Sequence, residues 1–138
     1  MNLTENPHVP FNDGCTPFHY AATNGHLEPI RLLMSSTDNT NAPENRGQTA
    51  LHGAAREGHL EAVRLLMSST DNPNAPDNTA GTPIHYAAWK GHLEIIRLLM
   101  TSVDANSNAQ DIWGRTPTEL AKQFGHSKIV EELKMFQN

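Results

Sequence analysis

The sequence predicts an all-α fold, a solenoid of stacked helix-turn-helix pairs, and three observations carry that prediction. First, matching segments recur at a nearly constant step. Thr16-Pro17-Phe18-His19, Thr49-Ala50-Leu51-His52, Thr82-Pro83-Ile84-His85 and Thr116-Pro117-Thr118-Glu119 begin 33, 33 and 34 residues apart. Gly25-His26, Gly58-His59, Gly91-His92 and Gly125-His126 keep the same step, and a period in this range marks a stacked array. Second, Gly81–Met100 has the pattern of two short helices. Thr82 suits an N-cap, and Pro83 suits the first helical position, where a missing N–H costs nothing. Ile84, Ala87 and Ala88 form one apolar face, Gly91 supplies the left-handed stop, and Leu93, Ile95, Ile96, Leu98 and Leu99 form a second face. Third, helices this short cannot bury such faces alone, so each pair requires a neighbour.

The recurring residues, T-P-x-H-x-A-A-x-x-G-H-x-E-x-x-x-x-L-L, resemble the ankyrin repeat family. The resemblance covers residues 6–136 and returns four times. It implies an ankyrin-repeat solenoid in which β-hairpin-like fingers project at right angles to the helices.

Taken in order, residues 1–15 carry no helix signal. Asn6-Pro7-His8-Val9-Pro10 aligns with Asn39-Thr40-Asn41-Ala42-Pro43 and Asn72-Pro73-Asn74-Ala75-Pro76. The N-terminal segment is therefore read as the finger of a missing preceding repeat. Either the chain is a fragment of a longer array or an engineered piece, or the first helix pair caps the stack itself. Phe18, Ile30 and Leu33 are then expected to have an uncovered side. Repeat one spans 16–48, and Pro29 is tolerable only in a first turn, so its second helix should begin near Leu27. Repeats two and three span 49–81 and 82–115. The second helices of all three end on Arg-Leu-Leu-Met, at 31–34, 64–67 and 97–100.

The polar segments between helix pairs depart from the family in two places. The family's Gly-Ala-Asp-Val-Asn is Thr37-Asp38-Asn39-Thr40-Asn41 here and Thr70-Asp71-Asn72-Pro73-Asn74 in repeat two. Asp38/Asn39 and Asp71/Asn72 are expected to take over the left-handed backbone of the lost glycine. The fingertip glycine is present as Gly14, Gly47 and Gly114. The third finger has Ala80 there, followed by Gly81, so that turn should differ from its neighbours. Repeat four, 116–138, reads as a C-terminal cap, with Glu119 in place of histidine. Lys128, Glu131, Glu132 and Lys134 give it the polar outer face a terminal repeat requires.

Composition narrows the function. A formal net charge of −5 and scattered cations argue against a nucleic-acid binder. No apolar run approaches a membrane span, and the first residues are no signal peptide. Cys15 stands alone, so no intrachain disulfide is possible, and a reducing, cytoplasmic location is expected. The eight histidines invite a metal reading. Stacked helices, however, lie about 8–10 Å apart, whereas ligands of one zinc ion lie about 2 Å from it. Histidines on successive repeats therefore cannot share an ion. The family resemblance gives His19, His52 and His85 a structural role instead, bonded to the threonine of their own motif. Cys15 lacks a patterned His/Asn companion, and no phosphate-binding glycine loop is present. Glu28/Arg31, Glu61/Arg64 and Glu94/Arg97 read as surface ion pairs. No enzyme activity, cofactor or metal is expected.

A recognition surface remains. The resemblance places it on the fingertips and the exposed face of each first helix. Those positions give a partner-binding set of Tyr20, Arg46, Gly53, Arg56, Tyr86 and Trp89, extended by Lys90, Trp113 and Arg115. Aromatics and arginine dominate interface hot spots. Gly53, between Tyr20 and Tyr86, should open a notch about one repeat wide. The expected function is non-catalytic binding of another protein by a monomer. Two alternatives stay open: an enzyme-regulating, inhibitor-like ankyrin protein, and an engineered or purely structural scaffold without a native partner. Trp89→Ala should weaken a partner by at least about 1 kcal/mol with little change in melting temperature. Asn41, Asn74 and Asn108 also match the family asparagine modified by oxygen-sensing hydroxylases.

Overall fold

The computed structural model describes residues 14–36, 43–70, 72–102 and 104–136. Within them lie α1 (Pro17–Thr23), α2 (Leu27–Ser36), α3 (Ala50–Glu57), α4 (Leu60–Met67), α5 (Pro83–Lys90), α6 (Leu93–Leu99), α7 (Pro117–Gln123) and α8 (Ser127–Lys134). The first helices α1, α3, α5 and α7 stack in one row, and α2, α4, α6 and α8 stack behind them. The front row meets through small residues: Ala22, Ala54, Ala55, Ala87, Ala88 and Ala121 are fully buried. The back row meets through larger ones, among them Ile30, Val63, Ile96 and Leu133. Front helices therefore sit closer than back helices.

Each front helix starts at a threonine. The Thr82 N–H donates to His85 Nδ1 at 3.1 Å while the His85 N–H donates to Thr82 Oγ1 at 3.4 Å. Thr16 with His19 and Thr116 with Glu119 repeat this box. Gly91 closes α5 at φ 84. It also leaves room for the next repeat, since a Cβ there would come 2.7 Å from the His126 ring. Helix α2 begins at Leu27, which puts Pro29 in the first turn as expected.

Both histidine ladders stitch the stack, in opposite directions. His52 Nε2 lies 3.0 Å from the Gly81 carbonyl, and His85 Nε2 lies 3.0 Å from that of Arg115, each the last residue before the next front helix's capping threonine. Because a backbone N–H already donates to Nδ1, the proton sits on Nε2 and these rings donate forward. The second ladder reaches backward. His92 Nε2 lies 3.0 Å from the Arg56 carbonyl, and His126 Nε2 lies 2.9 Å from that of Trp89. Those carbonyls end α3 and α5, where a helix has no partner of its own to offer.

Three expectations need correction. Phe18 and Ile30 are not left uncovered: both are buried in the common core, and Leu33 is half-buried. Leu32 is the large apolar side chain of α2 that faces out. Asn72 does not adopt a left-handed backbone; Ala80 is the sole non-glycine with positive φ among the described residues. The Asn72 side chain instead accepts the Asn74 N–H at 3.0 Å, a turn that an extended backbone can make. Asp38, Asn39 and Asp71 lie outside the described residues. The third fingertip keeps the shape of its neighbours, with Ala80 at φ 63 where Gly14, Gly47 and Gly114 have φ 80, 82 and 78. Asp77 explains this. Its Oδ1 accepts from the N–H groups of Thr79 and Gly81, so the loop closes whatever residue stands at 80. The fingers are hairpin-like, as expected of an all-α stack, and carry no strand among the described residues. Each is too short for a ladder and closes through bonds such as Asp77 N–H to Gly81 O at 2.8 Å.

Candidate functional site

The fingers are ordered by an acid at one recurring position. Glu44, Asp77 and Asp111 are all buried and turn their oxygens inward onto finger N–H groups. Burial alone pushes the Asp77 carboxyl up, but hydrogen bonds from Tyr86, Gln48, Gly81 and Thr79 outweigh it and hold its pKa at about 2. In Glu44 and Asp111, too, burial opposes ionisation and is outweighed, by Arg46 with finger amides and by Arg115 with Trp113. Adjacent fingers are then laced together. Asn78 N–H donates to Arg46 O at 2.8 Å, and Ile112 N–H donates to Thr79 O at 2.9 Å.

Against these fingers the front helices place a row of rings. His52 and Tyr86 meet edge-on at 5.9 Å, Tyr86 and Trp89 at 6.1 Å, and Trp89 and Phe124 at 6.1 Å. The Tyr86 hydroxyl donates to Asp77 Oδ2, which ties the ring to its finger. Burial and that bond both raise the phenol's pKa, so it stays protonated as a donor. Gly81 makes the arrangement possible, because a Cβ there would stand 3.1 Å from Cε2 of Tyr86. A hollow of about 320 Å³ opens beside the row, walled by Tyr86, Trp89, Trp113, Phe124, Asp111 and Arg115. A shallower one of about 520 Å³ continues toward Arg46, Gln48 and Arg56. Arg56 is held there by Gln48 at 3.0 Å and Glu57 at 2.9 Å. Arg115 lies 4.9 Å over the Trp113 ring, and the Lys90 ammonium lies 4.5 Å over Trp89.

Of the residues expected to bind a partner, Arg46, Arg56, Tyr86, Trp89, Trp113 and Arg115 thus line one continuous groove, with Lys90 on its rim. Two fall outside it. Tyr20 is exposed on α1 but lines neither hollow. Gly53 is buried, and the notch expected there is closed, because any Cβ would collide with the Thr23 hydroxyl of the preceding helix. Its smallness lets α1 and α3 approach. Trp89 is half-buried between Tyr86 and Phe124, so its removal must cost stability as well as contact. Sequence reasoning passed over Asp77 and Asp111, although an acid recurring at 44, 77 and 111 was a visible signal. Asn74 is half-buried with its Nδ2 on Ser102 at 3.4 Å, Asn108 is exposed, and Asn41 lies outside the described residues.

Among the described residues no three of His, Cys, Asp and Glu converge as a metal would need. No helix there is long and apolar enough to cross a membrane. The fold and its groove define a helical repeat protein that presents one extended open surface. A family profile described as ankyrin repeats in three copies matches residues 1–77 and 71–137, and the chain belongs to the ankyrin repeat family. Ankyrin repeats are in general protein–protein interaction modules and typically non-catalytic. A search of curated proteins finds no match.

Proposed function

We propose that this chain recognises another protein through the groove between its fingers and front helices, as a non-catalytic monomer in the cytoplasm. We likewise propose that its units divide at 16–48, 49–81, 82–115 and 116–138, with the last as a cap. The observation that carries the binding reading is the aromatic row Tyr86–Trp89–Phe124 beside Trp113, open to solvent along the hollow. Trp113 is 63% exposed, an expensive way to spend a tryptophan on folding alone. The arginines beside it supply the other residue type that dominates hot spots.

Trp113→Ala is the cleaner probe, because the ring is so little buried. It should weaken a partner recovered by crosslinking pull-down by at least about 1 kcal/mol and leave the melting temperature nearly unchanged. Trp89→Ala should weaken it as much and lower the melting temperature too. Full retention of the partner by both variants would place the interface elsewhere.

A further inference from the structure

We propose that the occupant of the groove is an acidic peptide segment bearing one bulky apolar side chain, seated between Trp89, Trp113 and Phe124 with its carboxylates on Lys90, Arg115 and Arg46. The proposal rests on the protein-binding reading above and adds the chemistry of the partner.

Charge is distributed unevenly across the finger ion pairs. In Arg46–Glu44 the arginine side chain is 62% exposed and the glutamate 2%. In Arg115–Asp111 the figures are 40% and 4%. Each acid is consumed from below. Glu44 Oε1 accepts the N–H groups of Arg46 and Gln48, and Asp111 Oδ1 accepts those of Trp113 and Arg115. Asp77 is engaged the same way by its own finger, Gln48 and Tyr86. The carboxylates that order the fingers are therefore sealed beneath them, and a visiting chain meets the guanidinium groups. Lys90 adds an exposed ammonium with no ion pair among the described residues. Glu57, on Arg56, is the acid that still faces outward near this rim.

The back helices are different. There Glu28, Glu61 and Glu94 are exposed, but each stands beside an exposed arginine, Arg31, Arg64 or Arg97. Those pairs offer a visitor both signs, whereas the finger pairs offer it the arginines, so an acidic segment finds its partners in the groove. The hollow of about 320 Å³ sets the anchor. Its walls are mostly ring carbon, and it has room for one large side chain rather than a folded domain edge. An aliphatic or aromatic side chain there, with carboxylates on either side, satisfies both the apolar wall and the cationic rim.

The test uses short fluorescein-labelled synthetic peptides followed by anisotropy. One has a Leu-Phe core flanked by aspartates and glutamates. A second replaces the acids by lysine, and a third keeps the acids but replaces the core by alanine. The first should bind at least about tenfold more tightly than either other. Its affinity should fall as salt rises from about 50 to about 200 mM, and Lys90→Glu, an exposed change, should weaken it several-fold while shifting the melting curve only slightly. Equal binding of the alanine-core peptide, tighter binding of the lysine peptide, or no binding of the first at about 1 mM would each overturn the proposal. The two readings fail separately. Binding of the lysine peptide that Trp113→Ala abolishes removes the acidic partner and keeps the groove. Acidic-peptide binding untouched by Trp113→Ala and Lys90→Glu removes both.

Discussion

Ala80→Gly should stabilise this protein, although it deletes a methyl group and touches no core residue. Ala80 is held at φ 63 because Asp77 fixes the amides on both sides of it, those of Thr79 and Gly81. A left-handed backbone costs an L-residue about 1–2 kcal/mol. Glycine removes that cost but gives the unfolded chain more freedom, worth about 0.4–1 kcal/mol in the opposite sense. The net gain is about 0.5–1 kcal/mol, or a rise of about 2–3 °C for a domain of this size. Urea denaturation and thermal melting followed by circular dichroism measure both. The neighbouring fingertips supply the internal standard. Gly114 has open space around its missing Cβ, so Gly114→Ala should lose about what Ala80→Gly gains. At Gly47 a Cβ would also sit 2.5 Å from Asn78 Oδ1 and 2.8 Å from its backbone nitrogen, so Gly47→Ala should lose more. The stability order is then Ala80→Gly, wild type, Gly114→Ala, Gly47→Ala. An Ala80→Gly protein no more stable than wild type, or a harmless Gly114→Ala, would refute the assignment of strain to this turn.

Two other outcomes follow from the same geometry. Gly81→Ala should destabilise by about 1–3 kcal/mol, because its methyl group would press on the Tyr86 ring and on Asp77 together; an unchanged urea midpoint would mean that Tyr86 is not held there. Stability should also fall with acidification before the finger carboxylates titrate. Burial lowers the pKa of His52 and His85 below the ordinary 6.5, more than their carbonyl partners raise it. The unfolded chain takes up protons that the folded rings refuse, so their contribution is complete above pH 6.5 and is lost as pH drops through 6.5 toward the folded values. Asp77, held at about 2, stays ionised throughout that window, and its own contribution is lost only between 3.8 and about 2. A urea midpoint that does not move between about pH 7.5 and about pH 5 would remove the histidine ladder from the account.

Much of this was legible because the relevant physics is local. The capping box joins residues three apart, the left-handed stop at Gly91 involves one residue, and the Glu94–Arg97 pair at 2.6 Å spans less than one turn. Such signals survive in a bare string of letters, and repetition multiplies them. Ala80 and Asn72 misled for a common reason. The sequence displays which residue tolerates a left-handed backbone, whereas the structure shows which position is forced into one. That depends on nearby side-chain acceptors, Asp77 Oδ1 for Ala80 and, for Asn72, its own Oδ1, which takes the Asn74 N–H.

What the sequence determined on its own was the helix pair, its caps, its period and the need to stack, since each follows from contacts within a turn or from the arithmetic of apolar faces. What only the tertiary structure decided lies between repeats. The backward reach of His92 to Arg56 and of His126 to Trp89 spans 36 and 37 residues. The closing of Gly53 by Thr23 crosses from one front helix to the next. The burial of Glu44 and Asp111 beneath exposed arginines likewise depends on how fingers fold over their own carboxylates. Composition counts both partners of an ion pair equally. Only packing determines which of the two charges faces the solvent, and here it turns Arg46 and Arg115 outward over their own carboxylates.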